Sequence, residues 1–328
     1  MKKVTCVSYH SSGSSAVVDY IKEFKNVSFP QQEVECRFLQ DPDGISDLEF
    51  QLIDNWHRLN SGFAIKRFEQ FAKRYHHHYS LLFGKNWAIY AQKYADSLKD
   101  FTFNGYWHCD ISIFPVYMKA YYYMRRAINR IMPEKLKKKP DYNYFPGAVS
   151  YHSHLSKEEF YRNTRLFVEN LCKSVFHDRQ SLIILDQFVS TTNIKRYMNY
   201  AEDLKVILVD RDPRDVYIEE QHIDDHVLPV EVQLFAKQFS DMRIGQAKEI
   251  LTDNVLKIQF EDMLYKYEET TRTIRDFLEL DEKDHINKFK YFNPKNSIRN
   301  TKLWERYPGY DEEMKILQSL AGDYFYFT

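Results

Sequence analysis

An α/β fold, a parallel sheet flanked by helices and interrupted by a large helical insertion, is the architecture that this 328-residue sequence predicts. Three observations point to it. An apolar strand at 4–9 runs through a short turn into a helix at 16–24 that places Val17, Tyr20, Ile21 and Phe24 on one face. Two further apolar strands, at 181–186 and 205–210, are separated by a helical stretch at 193–202, a spacing that implies parallel pairing. Between the first helix and these strands, residues 41–150 form an aromatic-rich tract with helical periodicity.

The remaining elements follow in order. The tract reads as helices at 47–59, 62–79, 87–98 and 111–131, and it closes with the basic run Lys135 to Lys139, followed by Pro140. Such a run is more often a solvated loop than a binding surface. Ser156 with Glu159 forms a capping box, and Phe160, Thr164, Phe167, Val168, Leu171 and Val175 continue it as an apolar helical stripe. A helix at 229–251, a strand at 255–260 and helices at 267–278 and 311–320 complete the chain. The whole is expected to be one domain, 1–328, with 41–150 as a cap inside it.

Composition narrows the function. Apolar residues at 44% and charged residues at 28% exclude a disordered or fibrous chain. The 25 Tyr and 24 Phe are more than usual, and most should pack in a core. A net charge of −1 provides no global field for nucleic acid or an anionic membrane, so any anion site must be built locally. Cys6, Cys36, Cys109 and Cys172 have no CxxC spacing, and no run of eighteen apolar residues occurs. The expectation is a cytoplasmic protein without a membrane span.

The first chemical motif is the turn His10-Ser11-Ser12-Gly13-Ser14-Ser15. Peptide N–H groups there, with the positive end of the following helix, are suited to a phosphate or sulfate, and Gly13 allows close backbone approach. The same serines also serve simply to cap a helix. The turn is of P-loop type in form, but it lacks the lysine of GxxxxGK[ST] and is not GxGxxG. The second motif is Arg211-Asp212-Pro213-Arg214-Asp215 at the carboxyl end of the strand 205–210, where open α/β sheets bind ligands and arginine grips phosphate oxygens through two donors. Arg211 is the leading ligand candidate, whereas Arg214 fits a surface ion-pair cluster better.

These two motifs, in this order, resemble the sulfotransferases that use 3′-phosphoadenosine-5′-phosphosulfate (PAPS). Tyr9 to Ser15 is similar to the family's 5′-phosphosulfate loop, and Val209 to Val216 to its 3′-phosphate strand. Residues 258–263 and 270–280 resemble the strand and helix that follow, and Asn296 to Thr301, with Trp304 and Tyr307, a late loop that closes over the nucleotide. The resemblance covers about residues 1–30 and 180–328. It implies sulfuryl transfer from PAPS to an acceptor hydroxyl, without a metal, with Ser11, Ser12, Gly13, Ser14, Ser15, Arg211, Arg299, Asn300 and Thr301 holding the donor. In such a displacement, donors aimed at the departing bridging oxygen lower the barrier.

The chain departs from the family at three positions. Ser11 stands where the family has Lys or Arg, Glu219 where it often has a serine touching the 3′-phosphate, and Gln187 where its cytosolic branch has the catalytic histidine. Either Glu219 points away and Arg299 makes the contact, or the nucleotide is held differently. Asp186 is the first candidate for the base that the acceptor needs, although it equally suits capping the next turn. His10 as an electrophile or acid, and His108 beside Asp110, are further catalytic candidates. His76, His77 and His78 splay around a helix, and His152 and His154 fit a polar loop, so neither group reads as a metal site. For the acceptor, Tyr90, Tyr94, Trp107, Tyr121, Tyr122 and Tyr123 suggest a carbohydrate, or a sterol or phenol. A non-catalytic nucleotide- or glycan-binding relative and a P-loop small-molecule kinase remain as alternatives.

Overall fold

The computed structural model describes residues 1–30, 32–133, 147–176, 182–224, 226–249 and 252–327. Among these residues the strands are β1 (Lys3–Ser8), β2 (Val27–Ser28), β3 (Phe101–Asn104), β4 (Val149–His152), β5 (Leu182–Ile184), β6 (Leu204–Asp210) and β7 (Val255–Gln259). The chain forms two compact units, Met1–Leu39 with Cys172–Thr328, and Gln40–Leu171.

The first unit is an α/β unit with a parallel sheet in the order β2-β5-β1-β6-β7. Val4, Cys6 and Val7 of β1 and Val206 to Val209 of β6 are essentially inaccessible, because strands covered on both faces read as unbroken apolar runs. Tyr20, Ile21 and Phe24 pack with Ile274, Leu278 and Phe292 in one core cluster. Val216, Phe235, Phe239 and Leu317 belong to a second, formed by helices Pro213–Gln221, Val232–Ala247 and Asp311–Ala321. Parallel register pairs Ser8 with Val209 and Asp210 with Gln259, which brings the carboxyl ends of β1, β6 and β7 to one edge of the sheet.

The second unit packs helices Asn60–Arg74, His76–Phe83 and Asn86–Ser97 through aromatic rings. Trp87 lies 4.3 Å from Tyr79, and Tyr94 stacks on Phe167 at 4.7 Å, so these rings are core, as their number suggested. The capping box holds: the Glu159 N–H donates to Ser156 Oγ at 3.2 Å, and the Ser156 N–H donates back to Glu159 Oε2 at 3.0 Å. A side chain at Gly62 would place its Cβ 2.4 Å from the Tyr151 carbonyl oxygen, so the helix approaches β4 only as glycine.

Several boundaries differ from the sequence reading. The expected helix at 62–79 is broken at Tyr75, and that at 111–131 becomes a 3-10 turn His108–Ile113 and a helix Val116–Ile131, divided by Pro115. The stretch 193–202 shortens to Ile194–Tyr197, and 47–59 to a helix Ile45–Glu49 with a π turn Phe50–Asp54. In the gap between the expected helices 87–98 and 111–131, and at the end of the tract, β3 and β4 form an antiparallel pair that the sequence reading did not assign. The basic run 135–140 and Ser181, at the start of the expected strand 181–186, lie outside the described residues. No helix among the described residues is long and apolar enough to cross a membrane.

Candidate functional site

The turn after β1 owes its shape to two residues in the left-handed region, Ser11 at φ 54° and Gly13 at φ 84°. Tyr9 anchors its start, donating from its hydroxyl to the Met242 carbonyl at 2.5 Å. Gly13 stands at the N-cap of helix Ser14–Lys22, where its carbonyl accepts from the Ala16 N–H at 3.1 Å and no side chain caps the turn, which leaves the N–H groups of Ser14 and Ser15 as candidate anion donors. Gly13 is required twice over, because a Cβ there would also lie 2.4 Å from the ring of Phe260. The serines divide. Ser11, Gly13 and Ser15 line a cleft of about 220 Å³, whereas Ser12 is buried and donates to the His10 carbonyl. Ser14 is also buried, its hydroxyl accepting from Ser8 and from Gln187.

Arg211 closes the other side of that cleft. It leaves β6 only 3% exposed and donates to the Ser11 carbonyl at 2.5 Å and to the Asn300 carbonyl at 2.6 Å. Its guanidinium lies over the Phe260 ring, 5.2 Å from the centroid. Phe260 is therefore the shared floor under the turn and the arginine. Glu219 accepts a hydrogen bond from Arg211 Nη1, so it points toward the arginine and not away from it.

The rest of the Arg-Asp segment is scaffolding. Asp212 caps helix Pro213–Gln221 and pairs with Arg214 at 2.8 Å. Arg214 is sandwiched by Trp304 and Phe325, 3.8 and 4.0 Å from their centroids. Asp215 accepts from the N–H groups of Lys302 at 3.1 Å and Leu303 at 2.7 Å, which fixes the late loop beside the cleft. Burial pushes the Asp215 and Glu261 carboxyls up to about 7, against the opposing backbone donors that each receives.

The other sequence candidates are scattered. Asn300 lines the cleft, Arg299 lines a neighbouring one, and Thr301 is buried with its hydroxyl on Tyr265 and the Ile298 carbonyl. Gln187, not Asp186, reaches the turn, with its amide donating to Ser14 Oγ at 3.0 Å. Asp186 follows β5. Burial, and then the charge of Glu35, push its carboxyl up to about 7 against the pull of Lys22. His10 Nε2 lies 3.5 Å from the buried Glu220 carboxylate and is not part of the cleft lining. His108 belongs to the second unit, in the 3-10 turn where Asp110 pairs with Lys66 at 2.7 Å. Asp19, Tyr291 and Phe292 also line the cleft and carried no motif, and Phe260, which lies in the segment 258–263, was given no role of its own.

No family model matches the chain, and no curated protein matches it. Among solved structures it is similar to the sulfotransferase domain of the Synechococcus olefin synthase, at 9% identity and a TM-score of 0.40, covering 98% of this chain and 94% of that one. It is also similar to the sulfotransferase domain of the curacin biosynthetic pathway, at 10% identity and a TM-score of 0.41, covering 97% of each chain. A third is a sulfotransferase from Mycobacterium avium, at 9% identity and a TM-score of 0.31, covering 94% of each.

Proposed function

We propose that the chain is a sulfotransferase that moves a sulfuryl group from PAPS to an acceptor hydroxyl. One observation carries this reading: Ser11 and Gly13 of the anion-type turn and the buried guanidinium of Arg211 line one cleft over one aromatic floor. Two cationic or donor-rich ends beside a ring suit a nucleotide with phosphate at both its 5′ and 3′ positions. In the reaction, the acceptor oxygen attacks sulfur and the bond from sulfur to the bridging phosphate oxygen breaks. The N–H groups at the start of helix Ser14–Lys22 receive the charge that develops on that oxygen. The acceptor proton passes to a carboxylate, for which Asp186 is proposed because it directly precedes Gln187, whose amide reaches the turn.

A carbohydrate is the acceptor class proposed first, since Tyr121 and Tyr123 are exposed aromatic residues of a kind that stacks on sugars. A cytoplasmic location belongs to the same proposal and rests on the cysteine spacing. The engagement of Gln187 with Ser14, together with a serine at position 11, favours a second reading, a nucleotide-binding relative without turnover. Release of adenosine 3′,5′-bisphosphate from labelled PAPS in the presence of an acceptor panel supports sulfotransfer. Binding of the bisphosphate without release supports the second reading, and preferential binding of ATP with Mg²⁺ replaces both with a kinase.

A further inference from the structure

We propose that Glu219 is a carboxylate latch on the donor site that holds Arg211 closed until a second phosphate displaces it. The inference rests on the sulfotransfer reading and deepens it. Arg211 is 3% exposed, and its Nε has no hydrogen-bond partner among the described residues, so the guanidinium is a buried cation with donor capacity left over. Glu219 neutralises it now, but from an unequal position, because the Glu219 side chain is 39% exposed. Swinging a half-exposed carboxylate into water costs little desolvation, whereas Arg211 cannot follow it. The pair therefore opens from the Glu219 side.

The same carboxylate divides the space. The cleft over the turn is about 220 Å³, smaller than the roughly 300–1,000 Å³ of ordinary ligand sites. A neighbouring cleft of about 580 Å³ is lined by His222, Arg299, Arg306 and Tyr307. Glu219 and Asn300 stand in the walls of both. With the latch closed, a 5′-phosphate can reach the turn while Glu219 occupies the guanidinium of Arg211. With Glu219 displaced, the clefts join along Arg211 and a second phosphate reaches that guanidinium. A phosphate dianion competes for Arg211 with twice the charge of a carboxylate, and a ligand with phosphate only at its 5′ end has nothing with which to compete.

Calorimetric titration of the full chain and of Glu219→Gln, with adenosine 3′,5′-bisphosphate and with adenosine 5′-monophosphate, tests this. The latch requires the bisphosphate to bind about tenfold or more tightly to the variant, while the monophosphate changes by less than about twofold. Glu219→Ala, which removes the acceptor as well as the charge, should give the same selectivity. If wild type binds the bisphosphate and neither variant gains, sulfotransfer stands and the latch falls. An equal gain for both nucleotides also overturns the latch, because the carboxylate would then act only as a general negative charge. If neither nucleotide binds wild type or variants, the sulfotransfer reading fails and takes the latch with it.

Discussion

Replacing Gly13 by alanine puts a methyl group where Phe260 already stands. The new Cβ would lie 2.4 Å from Cδ2 and 2.8 Å from Cγ of that ring, and the backbone at φ 84° would also have to hold an L side chain in the left-handed region. The backbone part costs about 1–2 kcal/mol and overpacking a closed core about 1–3 kcal/mol more. Phe260 is 4% exposed and wedged in the cluster with Val17, Ile258 and Met263, so the ring cannot swing clear. Gly13→Ala should therefore lower unfolding stability by about 2–5 kcal/mol, read as a shift in the urea midpoint at constant slope. A cycle with Phe260→Ala separates the two parts, since removal of the ring should recover at least about 1 kcal/mol of the Gly13→Ala penalty. A Gly13→Ala cost that is below about 0.5 kcal/mol, or unchanged without the ring, would refute the packing that brings the turn and Arg211 onto a common floor.

Three further outcomes follow from the same geometry. Arg211→Ala should weaken adenosine 3′,5′-bisphosphate binding by roughly 2 kcal/mol in calorimetry, the scale of a charge-assisted contact, and an unchanged affinity removes Arg211 from the site. Asp186, Asp215 and Glu261 titrate near 7 when folded and near 4 when unfolded, so between those values the folded chain binds more protons. Stability should fall as pH rises through that window, by at most about 1.4 kcal/mol per pH unit for each group, and Asp186→Asn should flatten the slope of a denaturation series; a flat wild-type profile contradicts this burial. Asp186→Asn should also slow sulfuryl transfer and abolish its rise with pH through about 7, with bisphosphate affinity intact. Unchanged turnover takes the base role from Asp186.

The legible parts of this fold are those whose signal is local. β1, β6 and β7 lie within a residue or two of their expected bounds, the first two because buried parallel strands carry dense apolar runs and β7, at the sheet edge, because Val255, Leu256 and Ile258 are β formers. Ser156 and Glu159 announce a helix start by their own chemistry. The β3–β4 pair escaped notice because each strand is four residues long, β3 is exposed throughout, and its partner lies some 45 positions away, so neither has an alternating buried face. Proline at 115 was visible, but helical periodicity on both sides masked the break. At the site, Gly13 stood out as a glycine in a strand-to-helix turn and Arg211 as an arginine at a strand's carboxyl end, and both line one cleft. Phe260 was not, since a strand-end phenylalanine reads as ordinary core until the fold sets it under both. The direction of Glu219 was equally hidden: its partner lies two turns earlier on the chain, outside its own helix.

A crystal structure of the chain with adenosine 3′,5′-bisphosphate tests the central claim most directly. The account requires one nucleotide to place its 5′-phosphate on the N–H groups at Gly13 to Ser15 and its 3′-phosphate on Arg211. A nucleotide that engages the turn alone, or lies elsewhere with Arg211 still sealed beneath Ser11 and Asn300, would contradict it.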